Sequence, residues 1–177
     1  MIITISGEPG SGKSVVAKAL AKKLGLKHYS AGDFMREMAE KRKMSILELT
    51  NVADKDPSID REIDERTKQL AKQDNFIIDS RLAFKFIPSA AKIFLKVDSK
   101  IAAERIFNAR RQDEEENITL AKTEQNIIRR LHSEQGRYKK LYKIDYLDEK
   151  NYDLVINTSK STVEEITDKI VEFLRKI

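Results

Sequence analysis

Gly7-Glu8-Pro9-Gly10-Ser11-Gly12-Lys13-Ser14 places three glycines, a lysine and a hydroxyl within eight residues. Glycine lets the backbone curl until successive N–H groups point at one anion. A lysine closing such a curl carries a point charge to the outer phosphates of a nucleotide. The hydroxyl after it is a hard oxygen suited to Mg²⁺. The spacing G-x-x-x-x-G-K-[ST] is that of a phosphate-binding loop opening a helix, whose N-terminus adds partial positive charge. Gly7, Glu8, Pro9, Gly10, Ser11, Gly12, Lys13, Ser14 and the following Val15 are the expected ATP-binding segment. The competing reading is a glycine-rich turn beside an unrelated lysine.

Other residues suit phosphate chemistry. Asp79 closes the apolar run Phe76-Ile77-Ile78. A carboxylate there can hold Mg²⁺ directly or through water, or merely cap the next turn. Asp33 is the other magnesium-side candidate; its plainer role is a first-turn acid favoured by the helix dipole. Arg36 and Arg81 lie just past candidate strand ends, and a guanidinium fork matches the phosphate of a second substrate. Arg105, Arg110 and Arg111 precede the acidic run Asp113 to Glu116, while Arg129, Arg130 and Arg137 lie on a long helical pattern. Arg130 and Arg137 are two turns apart and share a face. Arginines on a lid would stabilise the charge that phosphoryl transfer spreads; the alternative is i,i+4 pairing, as between Arg130 and Glu134. His28 and His132 have no partner histidine or thiol and read as core or surface residues.

These residues need a scaffold. Ile2 to Ser6, Lys27 to Ser30, Phe76 to Asp79, Ala91 to Val97 and Asp153 to Ile156 read as strands. Helices are expected over Val15–Leu24 with Gly25 as its C′ residue, from Ser30 or Gly32 to about Lys43, from Ser45, and from Ser58. Ser45 and Glu48 form a capping box, and Ser58 is expected to cap the helix after Pro57. Further helices are expected over about 100–111, 119–142 and 163–176. Short apolar strands separated by helices imply an α/β fold, a parallel sheet covered on both faces. Its ligands belong beyond the carboxyl ends of the strands, where the loops just named converge.

The 177 residues suit one domain. No apolar run approaches a membrane span, and Ile2 begins a strand where a signal peptide would place charge and then a hydrophobic stretch. With 0 Cys and 2 His, a thiolate zinc site is excluded and a histidine-rich one is not expected. A cytoplasmic setting is the simplest expectation. The net charge of +5 suits phosphate-bearing partners, but the basic residues are dispersed, so a nucleic-acid surface is not expected.

Along nearly its whole length the chain resembles the archaeal-type cytidylate kinases among the P-loop nucleoside monophosphate kinases. The pieces are Ile3 to Gly7, Ser30-Ala31-Gly32 with Phe34 and Arg36, and Met44-Ser45 leading into Asp60 to Arg66. Ser80-Arg81-Leu82-Ala83, Arg137-Tyr138 with Tyr142, Ile144 and Asp145, and Asp153 to Thr158 complete them. The resemblance implies a three-layer α/β/α P-loop NTPase core with strand order 2-3-1-4-5. It implies a helical insert for the nucleoside monophosphate at about 31–73 and a short lid at about 110–118. It implies transfer of the ATP γ-phosphoryl group to CMP or dCMP, with Mg²⁺; a monomer is the expectation from the chain's size. Lys13, Arg110, Arg130 and Arg137 carry over as catalytic residues, with Arg111 and Arg129 as rivals one position away. Arg36 and Arg81 carry over as ligands of the acceptor phosphate, and Ser14, Asp33 and Asp79 form the magnesium side. Asp60, Asp64 and Arg66 are the candidate readers of the base, since a carboxylate with an arginine complements the amine and acceptors of cytosine; the alternative is that they form surface salt bridges on an exposed helix.

The chain departs from the family in places. Glu8 stands where proline is usual, Ser80 where glycine is, and Phe84-Lys85-Phe86 replaces a small-residue and tryptophan segment. Leu82 follows Arg81, where bacterial relatives have a cytosine-reading aspartate. The rival readings are AMP phosphorylation, whose Gly-Phe-Pro-Arg signature is absent, and a non-enzymatic ATP-binding switch or RNA-associated protein.

Overall fold

The structure is a computed structural model that describes residues 1–109 and 119–177. The β-branched run Ile2–Gly7 forms β1, the middle strand of the sheet. Its loop leads into α1 (Lys13–Leu24), which ends at Gly25 with φ of 66°, the left-handed C-terminal stop that the sequence pattern predicts. β2 (Lys27–Ser30), β3 (Phe76–Asp79), β4 (Ala91–Lys96) and β5 (Leu154–Asn157) follow. Among the described residues they make one five-stranded, wholly parallel sheet in the expected order β2-β3-β1-β4-β5.

Side chains alternate across this sheet. Ile3, Ile5, Ile77, Ile93, Leu95 and Ile156 bury against α1 and the C-terminal helix α8 (Val163–Leu174). Phe76, Ile78 and Phe94 pack on the opposite side, in clusters with Ile87, Leu82, Tyr138 and Tyr146. Both faces are thus covered, which accounts for strands that are apolar on both sides.

Three helices stand between β2 and β3. These are α2 (Ala31–Lys41), α3 (Ile46–Ala53) and α4 (Ser58–Leu70), and they bury Met38, Ala39, Leu49, Ala53 and Ile59 among themselves. The capping box of Ser45 and Glu48 is present at α3. Ser58 is not the cap of α4. It is the first helical residue, and its N–H donates to the Asp56 carboxylate at 2.9 Å, while Pro57 holds the cap position. The proline ring fixes φ one residue earlier than a serine cap allows. α5 (Ala83–Phe86) is a single turn, too short to leave a periodic signature. α6 (Ser99–Ala109) packs against the 23-residue α7 (Leu120–Tyr142). The lid expected at about 110–118, with Arg110 and Arg111, lies outside the described residues.

Candidate active site

The loop between β1 and α1 has the backbone that its glycines permit. Gly7, Gly10 and Gly12 have φ of 150°, 77° and 84°. A Cβ on Gly7 would fall 2.3 Å from the Leu95 carbonyl oxygen, and one on Gly10 would fall 2.7 Å from the Ala102 Cα. These two glycines are needed for close approach, whereas around Gly12 no atom would lie within 4 Å and the backbone angle is the reason. Lys13 folds back over the loop, its Nζ donating to the carbonyl oxygens of Gly7 and Glu8 at 3.1 Å each. Burial, and then the nearby Arg81 charge, hold the Lys13 ammonium well below the ordinary lysine range. An incoming polyphosphate supplies the counter-charge that favours the ammonium form.

Pro9 to Val15 line a cavity of about 560 Å³, but Gly7 and Glu8 do not. The Glu8 carboxylate accepts the Val97 N–H at 2.7 Å, just past the end of β4. This explains how a carboxylate is tolerated in a phosphate loop: it serves as an acceptor for the neighbouring strand's backbone.

β3 delivers Asp79 to the floor of the cavity. The register sets Ser30 of β2 beside it, and the Oγ atoms of Ser14 and Ser30 both donate to Oδ1, at 2.9 and 3.0 Å. His28, two residues before Ser30, places Nε2 2.7 Å from Oδ2. Burial would raise the Asp79 carboxyl, but the hydrogen bonds from His28 and Ser14 outweigh it and keep it below its ordinary value. A hydroxyl and an ionised carboxylate side by side are hard oxygen donors that fit Mg²⁺, which takes few protein ligands and keeps waters and phosphates. Asp33 does not join them. It pairs with Arg36 at 2.6 Å and does not line the cavity. His28 is neither a core filler nor a surface residue: it braces Asp79. Its spacing of two from Ser30 on one strand was the available signal, readable only once β2 was known to pair with β3.

Arginines surround the same cavity. Arg36, Arg81, Arg105, Arg130 and Arg137 all line it. Arg81 is largely enclosed, its side chain 12% exposed, with Nη1 donating to the Gly7 carbonyl at 2.7 Å and Nε to Glu134 at 2.6 Å. Arg130 meets the other oxygen of Glu134 at 2.9 Å, so the expected i,i+4 pair exists and the residue faces the cavity as well. Arg129 is exposed and off the cavity. Arg137 reaches from α7 to Asp60 on α4 and to Asp54 after α3, at 2.6 Å each. Arg105 donates to the Thr158 carbonyl at 2.7 Å and so ties α6 to the end of β5.

Of the expected base readers, Asp60 and Asp64 line the cavity and are buried. Asp64 accepts a hydrogen bond from the Tyr142 hydroxyl, and burial pushes its carboxyl up to about 6. Burial also raises Asp60, against the pull of Arg137. Arg66 is elsewhere: it pairs with Glu37 at 2.7 Å and Glu62 at 3.2 Å, and stacks over Phe34 outside the cavity.

A phosphate loop between β1 and α1, an acid at the end of β3 and arginines from four segments define a class, the P-loop phosphotransferases of α/β/α architecture. Solved structures share this fold. A shikimate kinase from Bacteroides thetaiotaomicron superposes with a TM-score of 0.73 over 99% of this chain and 98% of its own, at 16% identity. An uncharacterised protein from Eubacterium ventriosum gives 0.73 over 100% and 99%, at 21% identity. Within that class the chain belongs to the cytidylate kinase-like family, whose model matches residues 2–160. It is 43% identical to a cytidylate kinase of Methanocella arvoryzae, over 99% of both chains. It is 40% identical to one from Methanocaldococcus jannaschii, over 93% of this chain and 92% of that one.

Proposed function

We propose that the protein transfers the γ-phosphoryl group of ATP to CMP or dCMP. The observation that carries this reading is the single cavity shared by the phosphate loop and by the inner side of α2 and α4. Donor and acceptor can meet there with phosphates adjacent. The helical segment at about 31–73 is the acceptor-binding insert in this reading. Every group the reading needs comes from one chain, so it takes the protein as a monomer acting on free nucleotides. Among the described residues no helix is long and apolar enough to cross a membrane.

Each residue then has a task. Pro9 to Val15 wrap the donor phosphates, with Lys13 matching their charge. Ser14 and Asp79 would hold Mg²⁺, which would neutralise phosphate charge when bound; Asp33, paired to Arg36, is left out of this role. Arg36 and Arg81 orient the acceptor phosphate, and Arg130 and Arg137 stabilise charge on the transferred group. No base is required, because the attacking phosphate oxygen is already an anion at neutral pH. Catalysis is positioning and charge stabilisation in a water-poor site. Asp64, with Asp60 beside it, reads the cytosine amine. Uracil presents a carbonyl there, which would set two acceptors together with no proton between them.

ATP consumption measured against a panel of nucleoside monophosphates tests the reading. CMP and dCMP are expected well above UMP, with AMP and GMP poor. A preference for AMP refutes the cytidylate reading, and ATP turnover indifferent to every monophosphate refutes the kinase reading.

A further inference from the structure

Glu134 stands out because the reaction does not need a carboxylate among its arginines. It lies in the middle of α7, its side chain only 9% exposed, and it lines the cavity. Each of its oxygens takes one guanidinium. Oε2 accepts from Arg81 Nε at 2.6 Å and Oε1 from Arg130 Nε at 2.9 Å. The Tyr146 hydroxyl adds a longer contact to Oε2 at 3.4 Å. Arg81 is fixed at a second point, the Gly7 carbonyl of the phosphate loop.

We propose that Glu134 is a positioning residue for phosphoryl transfer, spreading Arg81 and Arg130 on its two oxygens so that both guanidinium groups face the phosphates at a set spacing. Arg81, held by Nε and Nη1, keeps its second terminal amino group for another anion. Arg81, Arg130 and Lys13 would otherwise repel one another around one cavity, and Arg81, 12% exposed, would lose hydration without an anion beside it. Burial would raise Glu134, but the charges of Arg81 and Arg130 override it and hold the carboxyl well below the ordinary range. The carboxylate therefore stays ionised and keeps both tethers. Long side chains fixed in advance have less freedom to lose when the transition state forms.

This inference rests on the phosphotransferase reading, so the test compares variants with the wild type on whichever monophosphate the wild type phosphorylates best. Failure of the wild type to phosphorylate any of them counts against the function alone. Glu134→Gln keeps the shape, but its amide has one acceptor oxygen and cannot tether both arginines. It is expected to lower kcat by about tenfold to a hundredfold, while the ATP dissociation constant, measured by calorimetry, stays within about threefold. The loss should shrink when Arg130→Ala is already present, because Glu134 then has less to position. Glu134→Asp retains the charge that lets Arg81 stay enclosed, yet draws the tethers back by one methylene, and should also lower kcat. A kcat within twofold of wild type in either folded variant overturns the proposal. So does an equal loss from Glu134→Gln with and without Arg130.

Discussion

Asp64→Asn should stabilise the protein at neutral pH and have almost no effect in acid. Asp64 is 7% exposed on the cavity side of α4. Burial is the largest influence and raises its carboxyl. The Tyr142 hydrogen bond opposes this, Asp60 and Glu65 add to it, and Lys68 opposes it, leaving the group at about 6 against an ordinary 3.8. The folded chain therefore binds this proton more tightly than the unfolded chain does, by about 3 kcal/mol. The sign follows. Stability linked to this group is present below about pH 4 and is lost as pH rises through about 6. Asparagine has nearly the same shape, its carbonyl accepts the Tyr142 hydroxyl, and it never ionises. The variant should thus gain about 3 kcal/mol at pH 8, roughly 6–12 °C in thermal midpoint for a chain of this size. Urea unfolding of both proteins from pH 4.5 to 8 measures the difference. A difference that is flat with pH, or an asparagine variant less stable throughout, refutes the reasoning about burial. A carboxylate kept at such cost points to function. The same variant should narrow the ratio of CMP to UMP turnover more than it lowers the rate on CMP. Stabilisation with that ratio unchanged would remove Asp64 from base reading and leave the burial argument standing.

Other substitutions separate the parts of the site. Lys13→Ala should lower turnover by about a hundredfold or more with the fold intact by circular dichroism, since the charge opposite the phosphates is lost; near-native activity would remove Lys13 from the donor site. Arg81→Ala should weaken acceptor use by about 2–5 kcal/mol in kcat/KM while ATP affinity changes little. A collapse of ATP binding with normal use of CMP would move Arg81 to the donor side. Glu8→Ala should cost about 1–3 kcal/mol of stability, from the Val97 N–H left without its acceptor, and leave the ATP dissociation constant unchanged. A large loss of ATP affinity would mean that the carboxylate shapes the phosphate loop itself.

The sequence alone determined what depends on short spans of chain. The glycines of the phosphate loop, the β-branched strands, the Gly25 stop and the Ser45–Glu48 capping box all act within a few residues, so their patterns are visible in one dimension. The spacing of Arg130 and Arg137 likewise put both on one face of α7, and the resemblance supplied the strand order. Three-dimensional packing decided the partners. His28 meets Asp79 across 51 residues, Arg81 meets Glu134 across 53, Tyr142 meets Asp64 across 78 and Glu8 meets the Val97 backbone across 89. Packing also decided between near equals: Arg130 faces the cavity and Arg129 the solvent, Asp60 and Asp64 are buried, and Arg66 is drawn off by Glu37 and Glu62. A residue's type and local spacing state what it can bond. Which of several candidates it does bond is set by strand register and helix packing, because those bring together groups with no fixed relation along the chain.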